Sequence, residues 1–130
     1  MNTLYLIILL FLLHLVADFI FQPRWIANTK SYNIESLLWH VLIYTTTMCI
    51  FLIAVGYISK YSITSVIPMF VIGVALSHLM VDFVSSKMTK KFHLDGKQYA
   101  FFTTIGLDQF LHEASLLIIV QHCFNIFNVR

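Results

Sequence analysis

Three pairs of residues in this chain join an imidazole to a carboxylate at the same spacing. His14 and Asp18 lie in HLVAD, His78 and Asp82 in HLMVD, and Asp108 and His112 in DQFLH. Residues four apart on a helix share a face, one turn from each other, so each pair can aim its donors at one point. His40 adds a fourth imidazole and Glu113 a fourth carboxylate. A mixed nitrogen and oxygen donor set suits divalent Zn, Mn, Fe or Ni and is unsuited to Cu(I). One zinc takes three or four protein ligands. The seven candidates His14, Asp18, His40, His78, Asp82, Asp108 and His112 exceed that number and suit one or two ions. Gln22, Gln109 and Glu113 then become outer hydrogen-bonding or catalytic groups, with Glu113 or an unligated Asp as the proton carrier.

Every one of these residues interrupts an apolar run. The chain has 130 residues, 59% of them hydrophobic and 11% charged. Average globular chains have roughly 45–50% and about 25%. Mean hydropathy is +0.84, which leaves too little polar surface to cover a soluble domain this small. The same figures exclude disorder, coiled coil, collagen and disulfide scaffolds. A net charge of +2 excludes nucleic-acid binding through a basic face. The expected fold class is all-α, an integral membrane bundle of four transmembrane helices in a single domain. The expected spans are about 4–21, 34–58, 66–88 and 101–127, each near the ~20 apolar residues that cross a bilayer. Pro23 ends the first span, Pro68 falls in the first turn of the third, and Asp95-Gly96 marks a turn. The first span lacks a basic leader and carries His14 and Asp18, so it does not read as a cleaved signal peptide.

Arg24, Lys30, Lys87, Lys90, Lys91 and Lys97 lie on one side of these spans, and only Lys60 and Arg130 on the other. The positive-inside rule therefore places the two basic loops in the cytoplasm and both termini outside. Because neighbouring spans run antiparallel, all the polar pairs fall in the cytoplasmic half, roughly 5–15 Å below that surface. Asp18, Asp82, Asp108 and Glu113 are four of the six acids, and apart from Lys87 at the basic-loop end of the third span no Lys or Arg lies within any span. Buried carboxylates without a counter-cation are very unfavourable, so the neutralising charge is expected to come from metal ions, protons or cationic histidines. His122 reads as interfacial, His93 as solvated in the basic loop, and Cys49 and Cys123 as reduced apolar fillers.

On HLVADFIFQ, Trp25 and Lys30, LLWHVLIY, SHLMVDFVSSK and LDQFLHE, the sequence resembles the domain-of-unknown-function 3307 family of small bacterial and phage membrane proteins. Its one departure is Pro23-Arg24 after Gln22, which touches the loop and not the cluster. That family implies a multi-pass protein of the bacterial inner membrane and assigns no reaction. The His/Asp pattern is also similar, more loosely, to membrane-bound metal-dependent hydrolases. The leading functional expectation is a metal-dependent hydrolase acting on a lipid or another membrane-associated substrate at the cytoplasmic leaflet, with lysines near the head groups. A proton or metal-ion transporter or channel is the alternative. It must contend with an outer half that offers little polarity beyond Thr45, Thr46, Thr47 and Thr64. A structural or holin-like protein, whose polar cluster only holds the helices together, is the third reading, and bis-His haem ligation the remainder. The expected partners are the bilayer and, since four spans are few, a second copy of the chain.

Overall fold

The computed structural model describes residues 3–59 and 63–124. Lys60, Tyr61, Arg130 and the end of the fourth expected span lie outside the described residues. Among the described residues all the regular structure is helical. Helix α1 (Thr3–Leu15) runs into a π-helical turn (Val16–Ile20), followed by a short α2 (Arg24–Thr29), then α3 (Ile34–Ser59), α4 (Ile67–Leu94) and α5 (Gln98–Phe124). Among the described residues two helices, α3 over Ile34–Tyr57 and α4 over Ile67–Leu94, are long and apolar enough to cross a membrane. A shorter apolar helical stretch, α1 with the π turn, covers Leu4–Ile20.

Local sequence explains the boundaries. Pro23 is the N-cap of α2, and its carbonyl accepts from Ala27 N–H at 3.1 Å. Asn33 caps α3: its Oδ1 accepts from the backbone N–H groups of Glu35 at 2.9 Å and Ser36 at 3.4 Å, satisfying donors that the first helical turn leaves free. Pro68 sits at the start of α4, where the missing N–H has no intrahelical partner to lose. Helix α4 continues past Met88 to Leu94, so Lys90, Lys91 and His93 extend along a helix and not a loop. Gly96, with φ at 67°, ends it. Gly96 N–H bonds His93 C=O at 3.2 Å and Lys97 N–H bonds Phe92 C=O at 2.9 Å, a Schellman closure that needs a left-handed residue. The chain then turns straight into α5, which packs along α4, while α3 lies against α4 and α1 against α3 and α5.

The buried stripes run at a strict spacing of four. On α4 they are Phe70, Val74, His78 and Asp82. On α5 they are Thr104, His112, Leu116 and Val120, with Asp108 half-buried in the same row. Both stripes change from apolar to ionisable midway, so Tyr44, Met48, Phe70, Val74 and Leu116 form an apolar core at one end of the bundle. The ionisable groups occupy the other end. The outer surface is the reverse of a water-soluble domain: Phe19, Ile50, Ile72, Met80, Phe102 and Ile118 are all exposed, spread over four helices, whereas His14, Asp18, His40, His78, Asp82 and His112 are buried.

Candidate metal centre

Each helix delivers its polar residues by a different local device. On α4 and α5 the regular i, i+4 repeat stacks His78 over Asp82 and Asp108 over His112. The first helix does not stay regular. At HLVAD it widens into the π turn, closed by Phe21 N–H to Val16 C=O at 2.9 Å. An i→i+5 turn takes one extra residue per turn, and such bulges are frequent at functional sites. Asp18 lies within this turn, and the Gln22 amide donates to its backbone carbonyl at 3.3 Å.

His40 Nε2 is the hub. It lies 3.0 Å from Asp18 Oδ1, 2.9 Å from Asp82 Oδ2 and 3.0 Å from His78 Nε2. His78 Nε2 lies 3.6 Å from Asp18 Oδ1 and 3.7 Å from Asp82 Oδ2. Two donors at 2.0–2.1 Å from one tetrahedral ion stand ~3.3 Å apart. The five measured separations bracket that value, and all four side chains are buried. Asp18, His40, His78 and Asp82 could therefore hold one divalent ion. A second group, Asp82, Asp108 and His112, meets the same criterion: His112 Nε2 is 3.4 Å from both Asp82 Oδ1 and Asp108 Oδ1. Asp18 Oδ1, Asp108 Oδ1 and His112 Nε2 are shielded from solvent, yet no aligned hydrogen bond reaches them among the described residues. Burying polar atoms without partners is unfavourable, and a cation in each group would satisfy them.

His14 stands beside these groups and belongs to neither. Its Nε2 lies 3.1 Å from Gln109 Oε1 and its Nδ1 2.8 Å from the Tyr44 hydroxyl. An amide oxygen only accepts, so Nε2–H donates to it and Nδ1 accepts from Tyr44. The Gln109 amide then donates to Asp18 Oδ2 at 3.3 Å and to Asp108 Oδ2 at 2.9 Å. One continuous chain, Tyr44 to His14 to Gln109 to two carboxylates, thus leaves Oδ1 of each carboxylate turned to the donor groups. Ring stacking fixes the rest: His78 is sandwiched between Tyr44, at 3.8 Å, and His112, at 4.2 Å between ring centroids. His40 Nδ1 and His78 Nδ1 are buried with no hydrogen-bond partner among the described residues. Glu113 is half-buried next to His112, its Oε2 shielded and likewise without a hydrogen-bond partner.

The expectation that no lysine neutralises the cluster needs correction. Lys30 Nζ donates to Asp82 Oδ2 at 3.0 Å and stands 3.2 Å from His40 Nε2. Lys30 lies outside the long helices, but α2 packs against α3. The helix is held there by buried Ile26 and by Thr29 Oγ1 donating to Ser36 Oγ at 2.7 Å. The Pro23 helix-start signal, with Thr29 and Lys30 at its far end, is the cue that could have revealed this. Tyr44 was also missed, although it follows His40 at the same spacing of four.

Residues 6–129 match DUF3307, a family described as proteins of unknown function. The chain belongs to this family. No curated protein and no solved structure matches it.

Proposed function

We propose that this DUF3307 protein is a four-helix membrane bundle that binds divalent metal and hydrolyses a lipid or another membrane-associated substrate at the cytoplasmic leaflet. The observation that carries the metal reading is the buried set of Asp18, His40, His78 and Asp82, whose donor atoms all lie within 4.8 Å of one another. The membrane reading extends from the two long apolar helices to all four, because large apolar side chains also cover the outside of α1 and α5. Both termini would then face outward, with the basic segments on the cytoplasmic side.

A divalent ion in such a site supplies Lewis acidity and lowers the pKa of water toward ~7. The chain's own residues do the rest. Asp18, Asp82 and Asp108 are held in fixed orientation by Gln109 or Lys30. Glu113 takes the proton from the attacking water and returns it to the departing alcohol as the ester bond breaks. Lys87, Lys90 and Lys91 face the head-group region and favour anionic substrates. The test is elemental analysis of the protein purified in detergent. Near-stoichiometric metal in the wild type, lost in His40→Ala, supports the reading. Substoichiometric metal unaffected by His40→Ala refutes it and favours a purely structural cluster.

A further inference from the structure

We infer that the centre is dinuclear and asymmetric, with Asp82 bridging a closed cation position and an open one. This rests on the metal reading above and goes beyond it in number, in the division of ligands and in the place for a reacting water.

The geometry separates the two oxygens of Asp82. Oδ2 faces His40 Nε2 at 2.9 Å and His78 Nε2 at 3.7 Å, while Oδ1 faces His112 Nε2 at 3.4 Å. A carboxylate that serves one ion through one oxygen leaves the other oxygen to an outer hydrogen bond. Here the other oxygen has a second imidazole in front of it, and beyond that imidazole a second carboxylate, Asp108 Oδ1, also at 3.4 Å. Asp18 and Asp108 repeat the logic. Both give Oδ2 to the same Gln109 amide, one on each of its two protons. Their Oδ1 atoms belong to different donor groups, so Gln109 spans the two halves of the centre at the outer layer as Asp82 does at the inner.

The two halves are unequal. Asp18, His40, His78 and Asp82 supply four protein donors, the full complement of a structural tetrahedral ion. Asp82, Asp108 and His112 supply three, the number that leaves one position for water or substrate in catalytic sites. The charge balance agrees. Asp18, Asp82, Asp108 and Glu113 carry four negative charges when ionised and Lys30 one positive, a net of −3 that a single divalent cation does not neutralise. Lys30 then competes for Asp82 Oδ2 and His40 Nε2 with the ion in the closed position.

The test uses full-length protein in detergent, stripped with chelator and reloaded with Mn2+, the manganese then being counted per chain and examined by electron paramagnetic resonance. The wild type is expected to hold two Mn2+ with the spectrum of an exchange-coupled pair, as a shared carboxylate requires. His112→Ala, and independently Asp108→Asn, are expected to hold one Mn2+ with the hyperfine pattern of an isolated ion. Each variant is checked as monodisperse by size exclusion, and the second protects against misfolding of the first. One Mn2+ per wild-type chain, unchanged in both variants, overturns the dinuclear inference and leaves the metal reading standing. Two uncoupled Mn2+ overturn the bridging role of Asp82. No bound Mn2+, together with no native metal, overturns both readings at once.

Discussion

Replacing Lys30 with methionine should tighten metal binding, an outcome opposite to that of any ligand substitution. Lys30 is the only ammonium among the described residues seen to contact the cluster, at 3.0 Å from Asp82 Oδ2 and 3.2 Å from His40 Nε2. Its side chain is 16% exposed and that of Asp82 2%, so the pair is poorly screened by solvent. Removing one partner of a buried ion pair destabilises by about 3–5 kcal/mol, because the other charge is left uncompensated. The part of Lys30 that reaches solvent lowers this to about 2 kcal/mol. That loss falls on the apo protein alone, since a bound cation takes over the neutralisation of Asp82. Methionine keeps the length and apolar stem, so the packing of α2 changes little. The affinity for Zn2+ should therefore rise roughly 30-fold, at ~1.4 kcal/mol per tenfold, while the thermal stability of the apo protein falls. Competition against a chromophoric chelator in detergent reads the affinity directly. Unchanged or weaker Zn2+ binding in K30M would show that Lys30 does not compete for these donors, and the charge argument for the centre would fail.

Three further substitutions separate ligation from support. Gln109→Leu removes the amide that orients Asp18 and Asp108, and outer-layer losses of this kind weaken metal binding about 10–100-fold; the same titration measures it, with circular dichroism expected to be unchanged. Tyr44→Phe takes away the hydroxyl proton that His14 Nδ1 accepts and should lower stability by about 1–3 kcal/mol, read as a lower melting temperature, with metal stoichiometry intact. Gly96→Ala forces a Cβ into the left-handed region at φ 67° and should destabilise by about 1–2 kcal/mol, again without effect on metal content. A Gly96→Ala protein that lost metal would mean that the α4–α5 turn sets the site geometry.

How much of this was legible in the sequence depends on the helix. On α4 and α5 the spacing of four is a property of regular α-helix, so His78 with Asp82 and Asp108 with His112 could be placed on one face from residue types alone. The same spacing in HLVAD did not predict the local backbone, because nothing in VADFI distinguishes a π turn from an α turn before the packing of Asp18 against α3 is known. His14 lies in neither donor group and is hydrogen-bonded to Gln109 instead. Lys30 was hidden for a different reason. A long, flexible side chain on a connecting segment can reach far from its Cα, and only the packing of α2 against α3, with Ile26 buried, aims it inward. Tyr44 carried a visible cue, four residues after His40, but its aromatic ring reads as core packing until His14 and His78 are seen against it.

The central claim is that imidazole and carboxylate donors from separate helices meet around a divalent ion. X-ray absorption at the zinc edge of the reloaded wild-type protein tests it most directly. The account predicts a first shell of nitrogen and oxygen only, at ~2.0–2.2 Å, with outer-shell scattering from histidine rings that diminishes in His40→Ala. A shell without imidazole scattering, or one containing sulfur at ~2.3 Å, would contradict it.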